Sequence, residues 1–191
     1  MEVLAAIRTR RSIRKYKKDP VPEAELEKIL DAGRWAPSAS NWQPCTFIVL
    51  RDNSVRESVA ELLPKGKFLA RATLGIAVVS DRRLSSCTVQ DGSLATYSML
   101  LAAHSLGLGA CWLAPSVNEE ALKAMLGIPQ EARLISVVSL GYPDEVRSMT
   151  RKELKDMTFT DRYGKAIGLP VGGQEIPGSV IEQTGVSYEG E

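Results

Sequence analysis

Histidine is almost missing from this 191-residue chain: His104 stands alone. A multi-histidine metal site is therefore impossible, and a Ser-His-Asp triad would need that one residue as its base. Cysteine is scarce as well. Cys45, Cys87 and Cys111 are odd in number and far apart, with no C-x-x-C pair. This pattern reads as reduced thiols in a cytoplasm and argues against a disulfide framework or a thiolate metal site. No apolar run approaches the length of a membrane-spanning helix, and MEVLAAIRTRR does not follow a signal peptide's order of basic, apolar and small residues. Charge of one sign is lacking too, since 24 basic residues face 23 acidic ones for a formal net charge of +1. A duplex-binding protein usually carries a broader positive field. Internal repeats and low-complexity tracts are also absent.

Against that balance there is one local excess. Seven basic side chains lie between Arg8 and Lys18, in RTRRSIRKYKK. Such a patch holds an anion, and nucleic acid, an acidic membrane and a small phosphorylated cofactor are the candidates.

With 44% hydrophobic residues, a chain of this length fits one globular domain with a sizeable core. Residues 2–9 suit a short helix. VPEAELEKILDAGRWAP predicts another, with Pro22 in its first turn, Glu23 and Glu25 near its positive end, and Leu26, Ile29 and Leu30 on one face. Gly33 loosens its last turns and Pro37 ends it. TFIVL (46–50) and LGIAVVS (74–80) predict buried strands, separated by a helix bearing Val55, Val59, Leu62 and Leu63. SLATYSMLLAAHSLG (93–107) is apolar almost all round and predicts the central core helix. GLGACWLAP (107–115) turns through glycines into a short extended piece. NEEALKAMLG predicts a helix capped by Asn118 and stopped by Gly127. LISVVSLGY (134–142) predicts a strand, and TRKE (150–153) a capping box opening a last short helix. The result is an α+β or α/β domain with one mixed sheet. Beyond Tyr163 the chain turns to Gly, Pro and polar residues that cannot build a core. A domain over 1–163 is expected to carry a tail over 164–191, disordered or laid on another surface such as a partner subunit.

Three stretches carry chemistry. In an extended RRSIR, side chains alternate, so Arg10, Ser12 and Arg14 point one way and Arg11, Ile13 and Lys15 the other. Two guanidinium groups flanking a hydroxyl suit a phosphate monoester; a merely solvated basic segment is the plain alternative. Nucleic acid is disfavoured because no aromatic interleaving accompanies the patch. APSASNWQP (36–44) joins a helix to a strand, where ligand loops often lie, and Ser38, Ser40, Asn41 and Gln43 can bond a heterocycle's edge. It equally reads as a serine-rich turn. In GLGACWLAP, Gly107 and Gly109 permit close backbone approach or a sharp bend, or simply a helix stop.

These stretches, in this order, resemble the nitroreductase family of FMN-dependent NAD(P)H oxidoreductases. The resembling segments are RRSIRKY, APSASNWQP before TFIVL, DGSLATYSMLLAAHSLGLGACWL, and LGYP followed by Arg151 and Lys152. The resemblance implies a mixed sheet wrapped by helices in an intertwined homodimer, with FMN at the interface touched by both chains. It implies that Arg10, Arg11, Ser12 and Arg14 hold the phosphate, ribityl chain and ring edge. Pro37, Ser38, Ala39, Ser40 and Asn41 would come from the other subunit to pack on the ring. Trp112, Leu113 and Ala114 would place backbone N–H groups by the flavin N5 region, and Arg151, with Lys152, would reach the phosphate. The chemistry resides in the flavin, with Arg14 tuning its reduced form and Lys65 or Lys67 as a candidate assistant. His104 is expected to be a buried structural residue. The implied activity is ping-pong hydride transfer from NAD(P)H to a small electrophile such as a nitroaromatic, a quinone or a flavin. A dehalogenase, a substrate oxidase and a flavin-binding module without turnover are the alternatives. A cytoplasmic protein with no nucleic-acid or membrane partner completes the expectation.

Overall fold

In the computed structural model, which describes residues 1–115 and 117–168, four aliphatic runs form one sheet. They are β1 (Cys45–Leu50), β2 (Leu74–Asp81), β3 (Gly109–Leu113) and β4 (Ala132–Gly141), in the order β1-β2-β4-β3. All three neighbouring pairs run antiparallel. The parallel component among the described residues is a bridge from Ser12 to Ala110 of β3. The α+β class is as expected, with helices α1 (Val3–Thr9), α2 (Glu23–Arg34), α3 (Asn53–Leu62), α4 (Thr88–Ser105) and α5 (Glu119–Leu126).

Alternation along the strands supplies two apolar faces. Ile76, Val78, Val138 and Leu140 pack with Leu26 and Ile29 of α2 and Met99 and Leu100 of α4. Ala77, Val79, Leu134 and Val137 pack with Val59 of α3 and Leu122 of α5. A sheet covered on both faces explains the continuous apolar run of β2, which is buried from Leu74 through Ser80.

One irregularity positions the site. Val78 pairs with Ser136 but Val79 pairs with Leu134, so Ile135 is an extra residue in β4. The bulge turns Ile135 toward Gly92 of α4, where a Cβ would lie 2.4 Å from Ile135 Cγ1 and 3.0 Å from its Cβ. Alanine favours a helix over glycine by about 1 kcal/mol, but here it would collide with the stiff, β-branched stem of Ile135. Glycine is the residue that lets the first turns of α4 sit against the sheet.

Several local expectations need correction. α4 begins at Thr88, five residues before the predicted start, so it takes in Asp91 and Gly92. Gly33 is a contact point, since its added Cβ would meet Met99 Cε at 2.3 Å. Pro22 is the residue before the first turn of α2, which ends at Arg34. Asn118 does not cap α5 with its side chain; its Nδ2 donates to the Leu62 carbonyl at 2.7 Å and ties α5 to α3. Gly127 does stop α5, at φ 67°. The TRKE box opens only a 3-10 turn, Leu154–Asp156, with no side-chain cap.

The chain divides into two compact units, Met1–Arg147 and Ser148–Glu191. Within the second, Phe159 bridges Ala166, and the Phe159 and Tyr163 rings stand 4.8 Å apart. The tail expected over 164–191 lies, from residue 169 on, outside the described residues. Among the described residues no helix is long and apolar enough to cross a membrane.

Candidate functional site

The basic stretch begins where α1 ends. The Arg10 amide donates to the Ala6 carbonyl, after which the chain becomes extended, and the Ile13 amide donates to Ala110 at 3.1 Å. This seam needs close backbone approach, because a Cβ on Gly109 would lie 2.8 Å from Ile13 Cγ2. Gly107 has the other role anticipated for these glycines, ending α4 at φ 77°. RRSIR and the GACWL strand therefore lie side by side. Trp112 is half-buried, Leu113 buried and Ala114 exposed at the end of β3.

The strict alternation predicted for RRSIRK does not persist. Ile13 and Tyr16 are buried, whereas Arg14 and Lys15 are both exposed. The reason is Glu145, whose carboxylate accepts from the backbone amides of both Arg14 and Lys15. Burial pushes the Glu145 carboxyl up, but those amides and the Arg147 guanidinium outweigh it and hold it below the usual range.

The arginines differ in how far they are committed. Arg11 Nη1 donates to the carbonyls of Arg8 at 2.7 Å and Arg10 at 2.9 Å. Arg14 lies over the Phe68 ring, 5.7 Å from its centroid, which also brings the Lys65–Lys67 segment to its neighbourhood. Among the described residues, the buried Arg10 Nε and Arg11 Nε have no hydrogen-bond partner. None of Arg10, Arg11 and Arg14 has a salt-bridge partner among the described residues. Buried donors of this kind are costly unless something accepts from them. The cradle fits an anion.

His104 stands beside it, in the last turn of α4, with Nε2 2.8 Å from Thr9 Oγ1. Burial, then the Arg10 and Arg11 charges, push the imidazole below its usual 6.5. The unfolded chain therefore takes up this proton first, so His104 costs stability as pH falls through about 6.5 and until the folded pKa is crossed. Urea midpoints of the wild type should fall between pH 7.5 and pH 5.5 by more than those of His104→Gln. Equal falls would show that other groups carry the acid sensitivity.

The APSASNWQP loop is built at the opposite end of α4. Ser40, Asn41 and Gln43 all have positive φ, at 48°, 57° and 51°. Non-glycine residues adopt this region only when neighbours hold them there. One holder is Ser38, whose Oγ accepts from the Gln43 amide at 2.9 Å. The other was not legible in the sequence: Asp91, only 3% exposed, accepts from the Ala39 amide at 2.9 Å and from Ser85 Oγ at 2.6 Å. A carboxylate in the first turn of α4 thus ties two loops together, beside a cavity of ≈ 160 Å³ lined by Gly33, Pro37, Ser38, Gln43, Asp91 and Ala95. Starting the predicted core helix at residue 93 left Asp91 outside it.

Asp91 and His104 are 13 positions apart on α4 (104 − 91), roughly 20 Å along the axis. One chain therefore presents the cationic cradle and the polar loop at opposite ends of the same helix. Arg151 and Lys152 belong to the second unit, where both are exposed and Arg151 Nη1 donates to the Thr150 carbonyl at 3.0 Å.

Comparison with known proteins bears on this arrangement. The family model described as Nitroreductase family matches residues 7–66 and 56–142. A protein of Archaeoglobus fulgidus, provisionally named an NADH dehydrogenase/NAD(P)H nitroreductase, is 44% identical over 151 residues, spanning 75% of this chain and 87% of that one. The crystal structure of a protein with the same provisional name from Parabacteroides distasonis superposes with a TM-score of 0.81 at 31% identity, covering 84% of this chain and 98% of that one. A Desulfovibrio desulfuricans structure, provisionally named a nitroreductase and solved in complex with FMN, gives a TM-score of 0.78 at 35% identity, covering 85% and 98%.

Proposed function

The chain belongs to the nitroreductase family, and from that premise we propose that it binds FMN in the Arg10–Arg14 cradle and passes hydride from NAD(P)H to a small electrophile by a ping-pong route. It is an oxidoreductase, as the relatives' names agree. The observation that carries the cofactor assignment is the pair of buried, unpartnered Nε donors on Arg10 and Arg11. A terminal phosphate accepts from just such donors. When bound, the flavin supplies hydride acceptance at N5 and gathers negative charge near N1 and O2.

The residues divide the remaining work. Arg10, Arg11 and Ser12 hold the phosphate end. Arg14, exposed over Phe68, supplies the cation that favours a more negative ring, as fixed charges do in an oxyanion hole. Trp112 and Leu113 at the end of β3, and Ala114 just beyond it, supply the backbone N–H groups that would face the flavin ring.

Two observations support a homodimer with shared sites. The cradle and the polar loop lie at opposite ends of α4, so Pro37 to Asn41 suit the site of a second copy. Val3, Leu4 and Ile7 of α1 and Leu94 and Tyr97 of α4 are also exposed apolar groups on adjoining helices, a surface that a partner would bury. We place this dimer in the cytoplasm with its three cysteines as free thiols.

The deciding experiment is spectroscopic. The purified protein should carry one FMN per chain, lose its yellow colour with NADH or NADPH, and regain it with a nitroaromatic, a quinone or free flavin. Bound flavin that no reduced nicotinamide bleaches would leave a flavin-binding module. A flavin-loaded monomer in light scattering would remove the shared site.

Arg14 is separable from Arg10 by redox titration. Arg14→Leu should weaken reduced FMN more than oxidised FMN, and a differential contact of about 1.4 kcal/mol lowers the two-electron midpoint by roughly 30 mV. Arg10→Leu should leave the midpoint in place, because the phosphate charge does not change with redox state. Identical midpoints in the two variants would make Arg14 another phosphate ligand.

A further inference from the structure

A second cationic cavity, ≈ 660 Å³ in volume, opens between residues 16–23, the corner joining β1 to α3, and residues 70–74. None of the residues assigned to the flavin lines it. Its charged lining is Lys18, Arg51, Arg56 and Arg71 against a single carboxylate, Glu23. Glu23 is already spent, since both its oxygens accept from the Arg51 guanidinium. Lys18, Arg56 and Arg71 remain, with no salt bridge to any of them among the described residues.

Arg56 is the informative member. It is only 6% exposed, yet no carboxylate bonds it among the described residues. Its Nη1 donates to the carbonyls of Arg51 at 2.5 Å and Leu50 at 3.4 Å, and its Nη2 donates to Asn53 Oδ1 at 3.0 Å. Those bonds staple the corner but bring no compensating charge. Asp52 and Glu57 lie close enough to act on the Arg56 charge, but neither bonds it: Asp52 accepts from the Ser54 and Val55 amides, and Glu57 accepts from Asn53 Nδ2. Arg56 Nε is buried with no hydrogen-bond partner among the described residues. A buried guanidinium with no bonded carboxylate and one unmade hydrogen bond is stabilised further by an anion that supplies both.

We propose that this cavity binds a small phosphorylated molecule through its phosphoryl oxygens, at a site separate from the flavin phosphate. Three cations with no salt bridge among the described residues, around one space, match a multiply charged anion better than a lone carboxylate. The guanidinium forks of Arg56 and Arg71 suit phosphoryl oxygens, with Lys18 as a mobile point charge at the rim. The volume admits more than a bare phosphate, so a nucleotide's diphosphate and free pyrophosphate are the two sources of this chemistry.

The test is calorimetric titration of FMN-saturated protein, in which the flavin phosphate position is filled, with pyrophosphate and separately with ADP. At least one should bind saturably. Lys18→Ala and Arg71→Ala, both surface changes, should each weaken that binding roughly tenfold or more with FMN content unchanged. Arg56 is left intact because it holds the corner. Tighter binding of ADP would identify a nucleotide as the occupant, and equal or tighter binding of pyrophosphate would identify a free phosphoryl anion. No saturable binding by either, or binding indifferent to both substitutions, overturns the proposal. The same titration in Arg10→Ala separates this site from the flavin assignment, because loss of FMN there leaves the second cavity untouched.

Discussion

Arg10→Ala should lose FMN affinity by about 10- to 150-fold, the equivalent of roughly 1.5–3 kcal/mol for one charge-assisted contact. The reasoning rests on what each arginine is free to do. Arg11 already spends its Nη1 on two backbone carbonyls, and Arg14 rests on Phe68. Arg10 makes no side-chain hydrogen bond among the described residues and has a buried Nε awaiting an acceptor. Deleting it removes ligand contacts without releasing any protein group, so the fold should be spared and the effect should appear as affinity. Quenching of FMN fluorescence on titration with apoprotein measures it. Unchanged affinity in Arg10→Ala, with a large loss in Arg11→Ala, would move the phosphate to the other arginine.

The other large effect is expected at Asp91. Asp91→Ala leaves the Ser85 hydroxyl, itself 2% exposed, and the Ala39 amide without their acceptor. Two orphaned polar groups cost about 2–5 kcal/mol. The loop they anchor also contains three positive-φ residues, so it should relax when released. In the shared-site reading, stability and FMN affinity fall together, and Asp91→Asn falls less because one oxygen acceptor remains. Chemical denaturation and FMN titration of the two variants check this. An Asp91→Ala protein as stable as wild type would mean that the loop is held by Ser38 and its own turns.

The strands were legible because their apolar runs are long and bounded by turn residues, as in LGIAVVS and LISVVSLGY. The cradle was legible because arginines cluster in RRSIR. What sequence reasoning missed depends on contacts between distant residues. Nothing local announces that Glu145 will clamp the amides of Arg14 and Lys15 and so break their alternation. Asp91 was invisible because the start of α4 depends on Gly92 meeting a bulge 43 positions away (135 − 92). Asn118 reads as a cap by local propensity, but its amide finds the Leu62 carbonyl. Tertiary partners outbid local ones in each case.

The placement of cradle and loop at the two ends of α4 has a genetic consequence. In the proposed dimer, a subunit lacking Arg10 still donates a sound loop, and a subunit lacking Asp91 still donates a sound cradle. When two such defective chains pair, both lesions fall in one site and the other is assembled wholly from wild-type parts. Co-refolding equal amounts of Arg10→Ala and Asp91→Ala protein should therefore restore full-affinity FMN binding at about a quarter of all sites, where each variant alone restores none. If the cradle and loop of one chain served the same cofactor, mixing would restore nothing.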